Sequence, residues 1–284
     1  MPETQLKLTP YGNADFAYIR EEGMAYVDKT QFIEVLERCG SNYPFIVRPR
    51  RFGKTLSTNM LEAYYDEAAA DQFDRVFAGT YIGSHKTPLA SQFRVLHLDF
   101  SGIASPNHQV LAAEFQETVL SGVRSYFQRY PHPEQDEVLK GTFPSASALI
   151  SRFFSLLTEE FPRKLYVIID EYDQFANEVL SQDLVHFKAM TSSEGFLKNF
   201  FTKLKAATNR LVSRIFITGV TSISLDSMTS GFSISTNITT FPAFADLYGF
   251  TEAELRELVP QVLDISKWGL NVDDLVARMR EWYN

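Results

Sequence analysis

Two periodicities alternate along the chain. Short apolar runs rich in β-branched residues stand at Phe45–Val47, Val95–Leu98, Tyr166–Ile169 and Ile215–Ile217, each bounded by charge, Gly or Pro, the pattern of strands in a buried sheet. Between them apolar residues recur at helical spacing: Leu111, Phe115, Val119, Val123, Tyr126 and Tyr130; then Leu149, Phe153, Phe154, Leu157 and Phe161; then Phe196, Phe200, Leu204, Ala207 and Leu211. Helices of this length between strands favour crossover connections and a parallel sheet covered on both faces, so an α/β fold with about five strands is expected. After Phe244 the strand signal ends. Thr251-Glu-Ala-Glu254 fits a capping box opening a helix through Leu255, Leu258 and Val262, and a second helix is expected from Val272 through Leu275, Val276 and Met279 to Trp282. The division expected is a core over 1–245, with 1–43 preceding its first strand, and the start of a helical lid over 246–284. Because the chain stops at Trp282-Tyr283-Asn284, inside an apolar helix or at its exit, the lid is expected to be cut short.

Composition narrows the function classes. At 284 residues and 45% hydrophobic, the chain buries a sizeable core, which excludes a disordered protein. The formal charge of -8 argues against a broad nucleic-acid surface. Cys39 is the single cysteine and has no disulfide partner. Met1 to Arg20 has the mixed polarity that a signal peptide lacks, and apolar runs such as Val167–Ile169 are far shorter than the ~20 residues that span a bilayer. A cytoplasmic protein without membrane contact is expected.

The segment Ile46-Val47-Arg48-Pro49-Arg50-Arg51-Phe52-Gly53-Lys54-Thr55-Leu56 reads as a strand, a tight turn and a helix start. This is the layout of a phosphate-binding P-loop, in which N–H groups of the turn and helix (Arg50 to Leu56) hold phosphates, Lys54 reaches the β and γ oxygens, and the Thr55 hydroxyl ligates magnesium. Its first glycine position holds Arg48, where a positive φ would be costly. A solvated basic turn capping a helix is the alternative. Next, Leu165–Ile169 ends abruptly in Asp170-Glu171-Tyr172-Asp173. On a strand beside the P-loop strand, Asp170 would hold a magnesium-bound water and Glu171 would polarise the attacking water. The run Arg214-Ile-Phe-Ile-Thr218-Gly-Val-Thr221 is a third core strand ending in hydroxyls. Thr218 or Thr221 would orient that water or sense the γ-phosphate, although a hydroxyl at a strand end is also an ordinary turn former.

With these motifs stand Tyr11–Phe16, Ile19-Arg20, Tyr26-Val-Asp28-Lys-Thr30, Leu98-Asp-Phe-Ser101 and Gly249-Phe-Thr251. Together, and in this order, they resemble the AAA-ATPase-like family over nearly the whole chain. The resemblance implies a P-loop NTPase three-layer sandwich with a partial C-terminal helical lid, ATP and Mg2+ as ligands, and often a nuclease-like effector domain further along. It makes Arg48 at the first glycine position the family's own pattern, and it makes Trp282-Tyr283-Asn284 similar to the start of a family motif. It also implies that the segment around Asp28 packs beside adenine and ribose, whereas the residues alone explain Asp28 or Thr30 equally as a helix N-cap.

Other chemistries lack support. The five histidines, His85, His97, His108, His132 and His186, show no metal-ligand spacing, Gly231-Phe-Ser-Ile-Ser235 lacks the second glycine of a nucleophile elbow, and no G-x-G-x-x-G occurs. The function expected is a slow magnesium-dependent ATPase, or an ATP-operated switch, controlling a partner or an effector domain. Arg50 and Arg51 are candidate anion contacts or solvent-facing residues, and no arginine outside the P-loop sits in a recognisable finger motif, which leaves self-association or a C-terminal region past Asn284 to supply one. The rival functions are a nonhydrolysing nucleotide-binding regulatory module and an ATPase accessory to nucleic-acid processing.

Overall fold

In the computed structural model, which describes residues 6–103, 108–192, 194–222 and 232–283, each of the four apolar runs forms a strand. They are β1 (Pro44–Val47), β2 (Arg94–Asp99), β3 (Leu165–Asp170) and β4 (Val212–Gly219), and a short β5 (Thr236–Asn237) completes the sheet. All pairings are parallel, in the order β2-β3-β4-β1-β5. One expectation is corrected here: β3, which carries Asp170, is not the neighbour of β1, because β4 lies between them. The interior position falls to a strand buried from Ile215 to Gly219, while β2, with half-buried His97 and an exposed Asp99 tip, takes the edge.

Alternate strand residues feed two separate cores. Leu165, Val167 and Ile169 join one, and Tyr166 and Ile168 the other. The first core is covered by α6 (His108–Arg129), α7 (Gln135–Leu139), α8 (Ala146–Thr158), α9 (Gln174–Gln182), α10 (Leu184–Thr191) and α11 (Phe196–Ala207). The second is covered by α1 (Phe16–Glu21), α2 (Phe32–Arg38), α3 (Lys54–Tyr65), α4 (Phe73–Val76) and α5 (Tyr81–Ser84). The result is the expected α/β sandwich of three layers. The helices α4, α5, α7, α9 and α10 run for nine residues or fewer, which is too short for a helical period to stand out in the sequence.

The C-terminal helices start where their capping signals lie. In α12 (Glu252–Val262) the Thr251 hydroxyl accepts from the Glu254 N–H at 3.2 Å, and the Thr251 N–H donates to Glu254 Oε2 at 2.8 Å. Glu254 also receives Lys29 Nζ at 2.6 Å, which ties the N-terminal segment to this helix. A final helix, α13, covers Val272–Tyr283; Asn284 and Gly231 lie outside the described residues. Among the described residues no helix is long and apolar enough to cross a membrane.

Candidate functional site

The loop from β1 to α3 is built around one buried ammonium. Lys54 is 3% exposed, and its Nζ donates to the carbonyls of Arg48 and Pro49 at 3.2 Å each. The chain therefore wraps back over its own lysine. Two residues in the left-handed region make this turn: Gly53 (φ 91°), where an added Cβ would meet nothing within 4 Å, and Arg51 (φ 69°). The arginine conformation costs about 1–3 kcal/mol. The first glycine position needs no such geometry, since the positive φ falls on Arg51. Arg48 instead turns its side chain away from the loop, donating to the carbonyls of Val47 at 2.9 Å and Thr239 at 3.1 Å. Gly53 caps α3 without a side-chain hydrogen bond, so the first N–H groups of this 12-residue helix point into the loop without a side-chain acceptor, a setting that suits phosphate.

Opposite the loop stand the tips of β3 and β4. Glu171 Oε1 lies 3.7 Å from Lys54 Nζ. Burial holds the Glu171 carboxyl above the usual carboxylate range; the Lys54 charge draws it down, and Asp170 and Asp99 push it back up. Glu171 also has a positive φ, 51°, which turns it out of the strand. Asp170 is fully buried and accepts from the hydroxyls of Thr218 and Thr58, the latter at 3.5 Å. The Glu171 N–H approaches Thr218 Oγ1 at 3.4 Å. Because β4 lies between β1 and β3, Thr218 stands between the P-loop and the acid pair.

The donor set suits a hard cation as well as an anion. Among the described residues no cluster of three or more His, Cys, Asp or Glu side chains could hold a metal.

One supporting residue, the last of the Asp170-Glu171-Tyr172-Asp173 motif, has a role that the sequence does not assign. Asp173 is fully buried, and its carboxylate accepts from Val220 N at 2.9 Å, Thr221 N at 2.6 Å and Asn177 Nδ2 at 2.7 Å. It clasps the exit of β4 to the exit of β3 and so fixes Thr218 against Asp170. Thr221 belongs to this clasp through its hydroxyl, 3.0 Å from Asp173 Oδ2, and Thr218 is the one of the two threonines that meets the acid pair. The clasp also explains Gly219, where a Cβ would lie 2.4 Å from the Tyr172 ring and 2.6 Å from Asp173 Oδ1. Gly219→Ala is expected to destabilise the protein by about 1–3 kcal/mol through overpacking, read as a lower melting temperature; an unchanged one would show that the clasp yields easily.

The remaining candidates are placed as follows. Thr55 is half-buried and lines a cleft of about 360 Å³ with Asn59, His97 and Asp99 along the free edge of β2. Phe52 is half-exposed, its ring close to Gly249. Leu56 is half-buried against the second core. Arg50 and Arg51 are exposed. Asp28 uses one oxygen to accept from Thr30 N at 2.9 Å and the other from Tyr81 N at 2.6 Å. The helix N-cap expected of Asp28 or Thr30 is corrected, since the cap of α2 is Gln31 and the Thr30 hydroxyl instead accepts from Ile82 N. Thr58, one helical turn beyond Lys54, is fully buried and meets Asp170, and no motif in the sequence marks it.

A strand, a turn over a buried lysine, and an acid-tipped strand one place removed define a P-loop fold of the nucleotide-binding class. The comparison with known proteins agrees: the family described as Predicted AAA-ATPase matches residues 10–229, and the chain belongs to it. The chain is also 26% identical over 282 residues to a protein of Azotobacter chroococcum mcd 1 described as "Uncharacterized protein in vnfD 5'region", covering 98% of this chain and 48% of that one. It therefore spans about half the length of this relative. No solved structure matches.

Proposed function

We propose that this protein is a magnesium-dependent ATPase that hydrolyses ATP slowly and whose nucleotide state is read by a partner or by a linked effector domain. The observation that carries the reading is the placement of Lys54 Nζ 3.7 Å from Glu171, at the uncapped start of α3 and beside the buried Asp170–Thr218 pair. Lys54 and the loop N–H groups bind the phosphates. Thr55 and Asp170 hold the metal, directly or through its water, and the bound ion would neutralise charge on the β and γ oxygens. Glu171, as carboxylate, takes the proton of the attacking water, and Thr218 keeps Asp170 and the Glu171 backbone in register. Arg51, Phe52 and Leu56 contribute backbone to the cradle, and the segment around Asp28 borders the nucleoside end. A linked effector is supported by the length of the Azotobacter relative, about twice that of this chain. A cytoplasmic setting fits the ATP requirement and the lone Cys39.

The test is thermal unfolding with and without ATP and magnesium, followed by phosphate release. A magnesium-dependent rise in melting temperature together with turnover below the roughly 1–100 s⁻¹ of efficient phosphoryl-transfer enzymes is expected. A rise without turnover would make the protein a nonhydrolysing regulatory module, and stimulation by DNA or RNA would connect it to nucleic-acid processing.

A further inference from the structure

The loop between β1 and α3 is closed from the inside by the Lys54 ammonium, which gives two of its three donors to the carbonyls of Arg48 and Pro49. It is also held from the outside, at three points, by one distant stretch of chain, residues 239–249. At the entrance the Val47 N–H donates to Thr239 Oγ1 at 3.1 Å, and the Arg48 guanidinium donates to the Thr239 carbonyl at 3.1 Å. In the middle the Phe52 ring lies against Gly249. At the exit, on α3, the hydroxyls of Ser57 and Tyr248 stand 2.8 Å apart. Chemistry fixes the direction of that bond. The Ser57 hydroxyl donates to the Lys54 carbonyl at 2.6 Å, and a hydroxyl has a single proton, so the phenol of Tyr248 is the donor. A relay therefore runs from Tyr248 through Ser57 to the backbone of the loop lysine. Both side chains are buried, and the Arg48 guanidinium stands 5.9 Å from the centre of the Tyr248 ring. One tyrosine thus meets the loop at its entrance and at its exit.

We propose that Tyr248 is a positioning residue for ATP, whose hydroxyl, acting through Ser57, holds the start of α3 in the geometry that receives the phosphates. The inference rests on the ATPase reading above. Phosphate oxygens compete for the same Lys54 donors that close the loop onto Arg48 and Pro49, so nucleotide binding gives up the inner closure. The shape of the loop then depends on its outer brace, and a cradle already held in its bound form loses less freedom when the ligand arrives. The phenolic oxygen therefore counts for more with ATP bound than without it. Packing alone does not explain a tyrosine here, because phenylalanine would fill the same space without the cost of burying a hydroxyl.

The experiment is a mutant cycle on the full chain, read by calorimetric titration with ATP and magnesium. Tyr248→Phe should leave the melting temperature of the free protein close to that of wild type and weaken ATP by about tenfold, near the upper end of what one hydrogen bond contributes. Phosphate release should show the loss in KM, with kcat at saturating ATP unchanged, a split that general loosening of the fold would not give. Ser57→Ala interrupts the same relay from the α3 side and tests the proposal independently should the phenylalanine form be unstable. The double variant should bind ATP no more weakly than either single one, because a relay is lost only once. Wild-type affinity in Tyr248→Phe would overturn the proposal, as would losses that multiply in the double variant or a fall in kcat with KM unchanged. Wild-type protein that does not bind ATP would instead remove the ATPase reading itself, and this inference with it.

Discussion

Glu171→Gln is expected to bind ATP as wild type does and to hydrolyse it about 10²-fold more slowly or worse, the usual loss when a general base is removed. The amide keeps the shape of the carboxyl beside Lys54 but cannot take a proton from water. Its neighbour should behave differently. Asp170 is fully buried and receives two hydroxyls, so Asp170→Asn should weaken the response to magnesium as well as turnover, shifting the magnesium titration to higher concentration. The pH profile separates the two roles further. Burial sets the Glu171 carboxyl above the usual range, and the active form is the carboxylate, so wild-type turnover should rise as pH climbs through that raised value. In Glu171→Gln this rise should vanish from whatever activity remains. Wild-type turnover in the glutamine variant would remove Glu171 from the mechanism.

Lys54→Ala should erase the stabilisation that ATP gives. Ligand at 100 times its dissociation constant adds about 2.7 kcal/mol to folding stability, and that gain requires the one ammonium the loop encloses. The lysine is 3% exposed and touches two loop carbonyls and Glu171, so its removal also leaves space and an unpaired acid. Glu171 can answer by holding its proton, and Lys54→Met, which keeps most of the apolar stem, provides a second variant if the alanine form is too unstable. Calorimetric titration with ATP and magnesium measures the same loss directly. An ATP response that survives both substitutions would place the nucleotide elsewhere on the protein.

Much of this architecture is local, and local features are readable in a sequence. The runs Phe45–Val47, Val95–Leu98, Tyr166–Ile169 and Ile215–Ile217 formed strands because each is too apolar and too short for anything but a buried sheet. The start of α3 at Lys54 and the capping box at Thr251 follow from residues within a turn of one another. Lys54, Asp170 and Glu171 could be chosen because charge directly after a buried strand or at a helix start is conspicuous against its surroundings.

The relations between distant segments were not readable in that way. Which strand lies beside β1 depends on how the crossovers wrap, and inserting β4 between β1 and β3 is what brings Thr218 to Asp170. Asp173 looked like one more acid in a charged turn; only the approach of β4 gives its carboxylate the N–H groups of Val220 and Thr221. The same approach forbids a side chain at Gly219. Asp28 changes meaning for the same reason, because its second partner, Tyr81 N, stands 53 positions along the chain. Strand and helix signals come from the periodicity of neighbouring residues, whereas the worth of a buried polar group depends on partners that packing brings from elsewhere in the chain.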